Sequence, residues 1–551
     1  MSNLIVEDDY QCFGNVTINT PVEKRENPHY VRYLLVTSVI VYIVYNLINI
    51  PKPKKVDKSL SLIPNYSLHQ KQFLRRLLKP SVSCTPTFKG LQPVENPSTF
   101  TIKKLQEIAQ KDEDADIESA LDYCPGGYMP VSIGQTIGPD DRYQIIRKLG
   151  WGHFSTVWLC EDLAESQAYY AIKIVKSANN FKTVALDEIK LLKCAKEKDH
   201  DAIGYDKIVL FLDYFTATSL YGDHLCLTFE LMGPSLLNLI IQSNYQGLEQ
   251  EGVKNIIKQI LLGLMYLHEK CRIVHTDIKP ENILIAVKEP YIRNMVDHVN
   301  RFNELGVQMP KTYVNAMGWN EAVELYDQSH EEASSSNIYT NRLDPRMTSC
   351  PNKTYLNDFS KAIKSKFENR SLSPLFVDPG IQVKIADLGN SCWENHHFAE
   401  VIQTLQYRAL EVIIESEYSF PADIWSVACL AFELSTGDFL FNPQATDHLS
   451  CPEDHLGLIW ELLDGLPPYI ALSGRKSSEY FTSSGSLKRI SSENMKIWKV
   501  EDVLVDKYQW KRVDAILLAD FIESLIEPDQ DLRATASTAL TKKWLDAVDN
   551  Q

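Results

Sequence analysis

The chain has 551 residues, 44% hydrophobic and 23% charged, enough for a large buried core and ordinary for a globular protein. Its formal net charge of −16 argues against general nucleic-acid binding, which needs a basic footprint, and suits cationic partners. The 11 cysteines form no C-x-x-C pair and no Cys/His cluster at zinc spacing, which excludes a zinc framework and reads as reduced thiols.

Residues 1–120 carry no sustained amphipathic period and read as a largely unstructured extension. Within it, Tyr33 to Ile50 is uncharged and rich in Leu, Val and Ile, bounded by Arg32 and by Lys52, Lys54 and Lys55. That length reaches the lower limit for crossing ~30 Å of hydrocarbon. The denser lysine cluster after it would leave the C-terminal bulk in the cytosol. Asn46, Asn49 and the short length count against spanning, so a membrane anchor at 33–50 stays open beside a packed helix. A basic patch from Lys71 to Lys79 and the acidic linker Asp112-Glu113-Asp114-Ala115-Asp116 follow, and order is expected to resume at Tyr123.

From Tyr143 the pattern turns to short β-branched runs. Tyr143 to Leu149, Thr156 to Glu161 and Tyr169 to Val175 alternate like antiparallel strands. A helical period from Ala185 to Leu192 comes next, then strand candidates Ile208 to Phe215 and His224 to Phe229. These predict a five-stranded sheet with one helix. Between the first two strands lies Leu149-Gly150-Trp151-Gly152-His153-Phe154-Ser155-Thr156-Val157. A glycine-rich string between strands suits a flap over ATP phosphates, because glycine lets backbone N–H groups approach phosphate oxygens closely. A dinucleotide fingerprint would open a helix instead.

Lys173, in Ala171-Ile172-Lys173, is placed to neutralise the α- and β-phosphates, with Glu188 on the following helix holding its ammonium. Phe229-Glu230-Leu231-Met232-Gly233 follows the fifth strand, where a hinge between two lobes offers backbone groups to adenine, so Glu230 and Met232 join the nucleotide set on position alone. Helical segments then dominate: Val253 to Lys270, Ala422 to Thr436, His455 to Leu463 and Ala515 to Leu525.

His275-Thr276-Asp277-Ile278-Lys279-Pro280-Glu281-Asn282 is the strongest signal in the chain. Asp277 is the candidate base for a substrate hydroxyl, and Lys279 would neutralise the γ-phosphate as charge develops. Asn282 and, far downstream, Asp387 of Asp387-Leu388-Gly389 supply the hard oxygen ligands Mg²⁺ prefers. Between Lys288 and about Phe376 lies a polar, Ser-rich interval with few periodic apolar positions, read as a flexible insertion. Tyr407-Arg408-Ala409-Leu410-Glu411 closes the activation segment; Glu411 is expected to form a buried ion pair with Arg533, and Asp423 to accept hydrogen bonds from the catalytic-loop backbone.

These motifs together resemble the SR-protein kinase family, from about Asp122 to Leu545 without the insertion. The resemblance rests on Arg147 to Trp158 as the flap, on His275 to Asn282 with Thr276 where most kinases have Arg, and on Asp387-Leu388-Gly389-Asn390-Ser391-Cys392-Trp393. It implies an ATP- and Mg²⁺-dependent serine/threonine kinase acting on Arg/Ser-rich splicing-factor proteins, monomeric, without direct nucleic-acid contact, and moving between cytoplasm and nucleus. It also implies constitutive activity. An arginine before the catalytic aspartate commonly reads an activating phosphate, and Thr276 cannot. The family's docking groove matches Asp438, Asp454, Glu461 and Lys507; Asp454 and Glu461 are seven apart, hence on one face of the predicted helix. Leu405 and Cys451 depart from it, standing where the family has arginines near the substrate path, and predict less processive modification.

The predicted architecture is α+β, a bilobal protein-kinase fold with a five-stranded small lobe and a mainly helical large lobe. Its expected parts are an extension (1–120), a small lobe through the catalytic loop (121–286), a spacer insertion (287–377) and the remaining large lobe (378–547). Two rivals stay open: a catalytically weak module docking basic segments, and a membrane-tethered kinase of altered specificity.

Overall fold

The computed structural model describes residues 117–165, 168–305, 309–314, 316, 375–490 and 495–546. The apolar run 33–50, the basic patch, the acidic linker and most of the insertion lie outside the described residues, and so does any test of them. Among the described residues no helix is long and apolar enough to cross a membrane.

The small lobe is an antiparallel sheet of strands β1 (Thr136–Ile137), β2 (Tyr143–Gly152), β3 (Ser155–Asp162), β4 (Ala168–Val175), β5 (Phe211–Ser219) and β6 (Gly222–Glu230), in the order β1-β2-β3-β4-β6-β5. The five strands expected from alternation are all present. The sixth, β1, is a two-residue edge pairing with Gln144 and Tyr143, too short for any periodic signal. The strand expected from Ile208 begins three residues later, at Phe211.

Alternation along β3 explains why its apolar run is nearly continuous. Trp158 and Cys160 join one buried cluster with Ile145, Ile172, Ile174 and Cys226, while Leu159 joins a second with Ile146 and Leu231. Both faces are therefore covered. Helix α1 (Asn179–Glu197) buries Ala185, Glu188, Ile189, Leu191 and Leu192 on its inner face.

Part of the second cover comes from the insertion. Helix α4 (Glu289–Glu304) buries Val299 and packs Ile292, Met295 and Val296 beside Ile146 and Leu159. The sequence interval read as lacking structure thus begins with four turns of helix. Further back, Glu118 joins three segments: it pairs with buried Lys148 at 2.5 Å and accepts from Tyr123 Oη at 2.6 Å and Ala316 N at 3.2 Å. Ordered chain therefore starts before the expected Tyr123.

The large lobe is built on helices α2 (Leu236–Gln242), α3 (Gln250–Met265), α5 (Pro421–Thr436), α6 (Cys451–Leu463), α7 (Val500–Asp506) and α8 (Arg512–Leu525). Helix α5 is buried along almost its whole circumference, as its unbroken apolar composition requires. The helix expected to run to Lys270 ends at Met265 and continues as a wider π turn, Tyr266–Cys271. That widening delivers His268 to Asp423 at 2.9 Å.

Candidate active site

Strands β2 and β3 form a hairpin in which Gly150 faces Val157, Trp151 faces Thr156 and Gly152 faces Ser155, leaving His153 and Phe154 at the tip. A Cβ built on Gly150 or Gly152 would meet open space, and neither has a left-handed φ. The fold itself does not require glycine there. What glycine permits is close approach by a group from outside the chain, and phosphate is the group such a surface suits.

Lys173 projects from β4 between two carboxylates, Glu188 Oε1 on α1 at 2.8 Å and Asp387 Oδ1 at 2.9 Å. Burial works against its charge, but Asp387 and Glu188 overcome that and raise the ammonium above its usual range. The same contact holds Asp387 below the ordinary carboxylate value. Both partners are therefore charged at neutral pH, and both lobes contribute to one charge cluster.

The catalytic loop runs between β7 (Ile273–Val274) and β8 (Ile283–Ile285). Asp277 Oδ2 lies 2.7 Å from Lys279 Nζ, and Asp277 Oδ1 accepts from Thr404 Oγ1 at 2.8 Å. Lys279 also donates to Thr404 at 3.1 Å. Asn282 Nδ2 donates to the Asp277 carbonyl at 2.8 Å, which leaves its amide oxygen as the atom available to a cation. Asn390 Nδ2 reaches Asp277 Oδ2 at 3.4 Å.

Thr276 is held at φ 69°, a conformation costly for a β-branched residue. Three bonds over-determine it. Asp423, fully buried, accepts from His275 N at 2.7 Å and Thr276 N at 2.8 Å, and Thr276 Oγ1 donates to Asn390 O at 2.7 Å. The expected role of Asp423 is thus met. So is the expected ion pair: Arg533 binds Glu411 through two bonds of 2.7 and 2.9 Å, with both side chains buried.

At the hinge, the Glu230 carboxylate turns to Lys384 on β9 (Val383–Ile385), at 2.6 and 2.8 Å, and to Leu210 N at 2.6 Å. Its backbone N–H donates to Leu210 O at 3.0 Å, so carboxylate and N–H are both engaged within the chain. Met232 forms no backbone–backbone hydrogen bond among the described residues.

The four residues expected to dock substrate fall into two pairs. Asp438 is bonded to Lys507 at 2.9 Å and to Tyr508 Oη at 2.7 Å. Asp454 and Glu461 share helix α6, as their spacing predicts; Asp454 accepts from Gln444 N at 2.7 Å, and neither forms an ion pair among the described residues. Sequence reasoning passed over Thr404 and Asn390 as site residues. Their partner Asp277 lies more than a hundred residues away, so the strings that contain them do not reveal the contact.

Comparison with known proteins agrees with this geometry. The protein kinase domain family matches residues 143–297 and 372–545, the gap falling on the insertion. The chain is 38% identical to SRSF protein kinase 3 of Mus musculus, over 84% of this chain and 96% of that one. It is similarly 38% identical to the serine/threonine-protein kinase SRPK of Physarum polycephalum, over 78% and 92%, and to the serine/threonine-protein kinase spk-1 of Caenorhabditis elegans, over 79% and 51%.

Proposed function

This chain belongs to the protein kinase domain family, among the SRSF protein kinases, and from that membership we propose how it transfers the γ-phosphoryl group of ATP to serines in Arg/Ser-rich proteins. It is a serine/threonine protein kinase, and the observation that carries the mechanism is the Asp277–Lys279–Thr404 triangle beside Asn282.

Asp277 orients the serine hydroxyl and accepts its proton as the oxygen bonds to the γ-phosphorus and the bridge to the β-phosphate breaks, releasing ADP. Lys279 neutralises charge on the transferring group. Lys173, braced by Glu188, takes the α- and β-phosphates, the flap from Leu149 to Val157 covers them, and the Glu230 and Met232 backbone receives adenine. Asn282 and Asp387 are the residues that would hold Mg²⁺, and both offer the hard oxygens it requires. Magnesium, when bound, supplies charge neutralisation between phosphate groups.

Arginine preference is assigned to Asp454 and Glu461, with Asp438 and Lys507 shaping the far side. Constitutive activity is assigned to the loop itself, since Thr276 ties the catalytic loop to Asn390 through its own hydroxyl and needs no phosphate to do so. Family membership favours a monomer acting in cytoplasm and nucleus, on protein and not nucleic acid; the run 33–50, the candidate anchor, lies outside the described residues. A scaffold without activity is disfavoured by the intact set Lys173, Glu188, Asp277, Asn282 and Asp387.

Transfer from labelled ATP to an Arg-Ser peptide tests the reading. Asp277→Asn should lower kcat by about a thousandfold or more with the peptide still bound, because charge and proton acceptor vanish together. Retained turnover, or preference for acidic peptides, would overturn it.

A further inference from the structure

Tyr128 belongs to the short segment that precedes the small lobe, yet its phenol reaches the nucleotide flap. Its hydroxyl donates to the Gly152 carbonyl at 2.6 Å, and the residue is 1% exposed. The approach depends on a tight turn. Gly126 sits at φ 85°, a Cβ on Gly127 would stand 1.9 Å from the Asp122 carbonyl, and Tyr128 N donates to that same carbonyl at 2.9 Å. Only glycine closes such a turn without displacing backbone.

The ring is then fixed on both sides. Tyr123 tilts against it with centroids 5.5 Å apart, and Lys176 Nζ stands 4.2 Å over its face while reaching Asp122 at 3.3 Å. Lys176 also donates its backbone N–H to Phe154 O at 2.9 Å. The flap tip is therefore tethered at two carbonyls, Gly152 and Phe154, one on each side of His153. Burial pushes the Tyr128 phenol up to about 12, so it keeps its proton and remains a donor.

The direction of the bond matters. Met129 and Val131, next to Tyr128, pack with Ile172 and Ile174 on the sheet face opposite Lys173. A trans peptide sends C=O and N–H to opposite sides. Drawing the Gly152 carbonyl toward Tyr128 thus turns the His153 N–H toward the face that carries Lys173, where phosphate is expected.

We propose that Tyr128 is a positioning residue for the nucleotide: its hydroxyl fixes the Gly152–His153 peptide so that the flap presents its N–H groups to the ATP phosphates. The inference rests on reading the β2–β3 hairpin as that flap. It makes the segment before the small lobe part of the nucleotide grip, acting through the flap and touching no substrate itself.

The test uses the full chain with Tyr128→Phe, which keeps the ring, its packing and the Lys176 contact. Calorimetric titration with Mg·ADP and steady-state rates against Mg·ATP are compared with wild type. Expected are a three- to tenfold weaker Mg·ADP Kd and a matching rise in KM for ATP, from one lost hydrogen bond at about its usual net worth. The kcat should not fall and KM for an Arg-Ser peptide should hold within about twofold of wild type. Tyr123→Phe, which removes the neighbouring phenol's bond to Glu118, should leave Kd and KM for nucleotide unchanged. Equal nucleotide affinity in Tyr128→Phe and wild type overturns the inference, and so does an equal loss in both variants. Wild type that fails to bind Mg·ADP overturns the flap reading as well.

Discussion

Four carboxylates of the large lobe divide into two kinds. Glu411 and Asp423 are 3% and 0% exposed, and their oxygens are taken up by Arg533 in one case and by His268, His275 N and Thr276 N in the other. Asp277 and Asp387 lie at the cleft, each paired with a lysine, and the Asp387 side chain is 42% exposed. The same functional group serves both ends. A carboxylate whose lone pairs are filled by donors that stay in place holds a shape, and one paired with a lysine at the cleft is left able to exchange that partner for substrate. Catalytic and scaffold acids are separated by their partners and not by residue type.

The sharpest way to break the comparison is to strip a scaffold acid of its donor. Arg533 also donates to Glu527 O at 2.8 Å and Pro421 O at 3.0 Å, and stands 5.0 Å over the Trp425 ring. Arg533→Met should cost about 3–5 kcal/mol, because Glu411 remains buried and unpaired. The double variant Glu411→Leu with Arg533→Met should recover most of that loss. Chemical denaturation of both variants measures it, and a single variant no less stable than the double would contradict the assignment.

Glu433 sits between the two kinds: it is 4% exposed and accepts from Tyr407 Oη at 2.5 Å. Burial pushes its carboxyl up to about 8, against the opposing pull of that hydrogen bond. The folded value exceeds the unfolded one, so the native state holds a proton that the unfolded chain releases. Its contribution is complete below the ordinary carboxylate range, falls as pH rises, and is gone above about 8. Wild type should lose on the order of a few kcal/mol across that window, and Glu433→Gln should flatten the slope. Parallel pH–stability curves for the two proteins would show that Glu433 ionises normally.

These distinctions were unequally visible in the sequence. Asp277, Lys279, Asn282, Lys173 and Asp387 were legible because each sits in a short string that keeps a fixed order along the chain. Of the buried pair Glu411–Arg533, Glu411 was legible from the string that closes the activation segment. Thr404 and Asn390 were not, since both meet Asp277 only after the activation segment folds back. Strand alternation revealed five strands of the sheet but not β1, whose two residues give period 2 nothing to act on. Helix α4 was missed because it is amphipathic against a sheet face, with polar residues at most positions and only Val299 and Phe302 buried. Glu118 was hidden too, its partners Lys148 and Ala316 lying on either side of the catalytic loop in sequence.

At the proposed docking surface the contrast takes a softer form. Asp438 already holds Lys507 and Tyr508, whereas Asp454 and Glu461 pair with no cation among the described residues. Removing Asp454 and Glu461 together by alanine substitution should raise KM for an Arg-Ser peptide about tenfold, near the value of one charge-assisted bond, with kcat little changed. Asp438→Ala should do less, because a guanidinium there must first displace Lys507. Steady-state kinetics at two salt concentrations would check both, since the effect should shrink as ions screen the helix face.

The smallest expected effect concerns Leu405 and Cys451. Two of the three Arg408 nitrogens are committed, Nε to Ile402 O at 3.1 Å and Nη2 to Gln403 O at 2.9 Å, and Cys451 Sγ lies 3.7 Å from Pro443 O. A single, partly engaged guanidinium offers a product phosphoserine little to hold. Leu405→Arg should add a second donor fork beside it and increase the phosphates added per encounter about two- to threefold, leaving the first transfer unchanged. Counting phosphates by mass after a start in excess unlabelled competitor measures this directly. Equal counts for Leu405→Arg and wild type would mean that processivity is set elsewhere, with the acids of α6 the next place to look, since they grip arginines and not the phosphates between them.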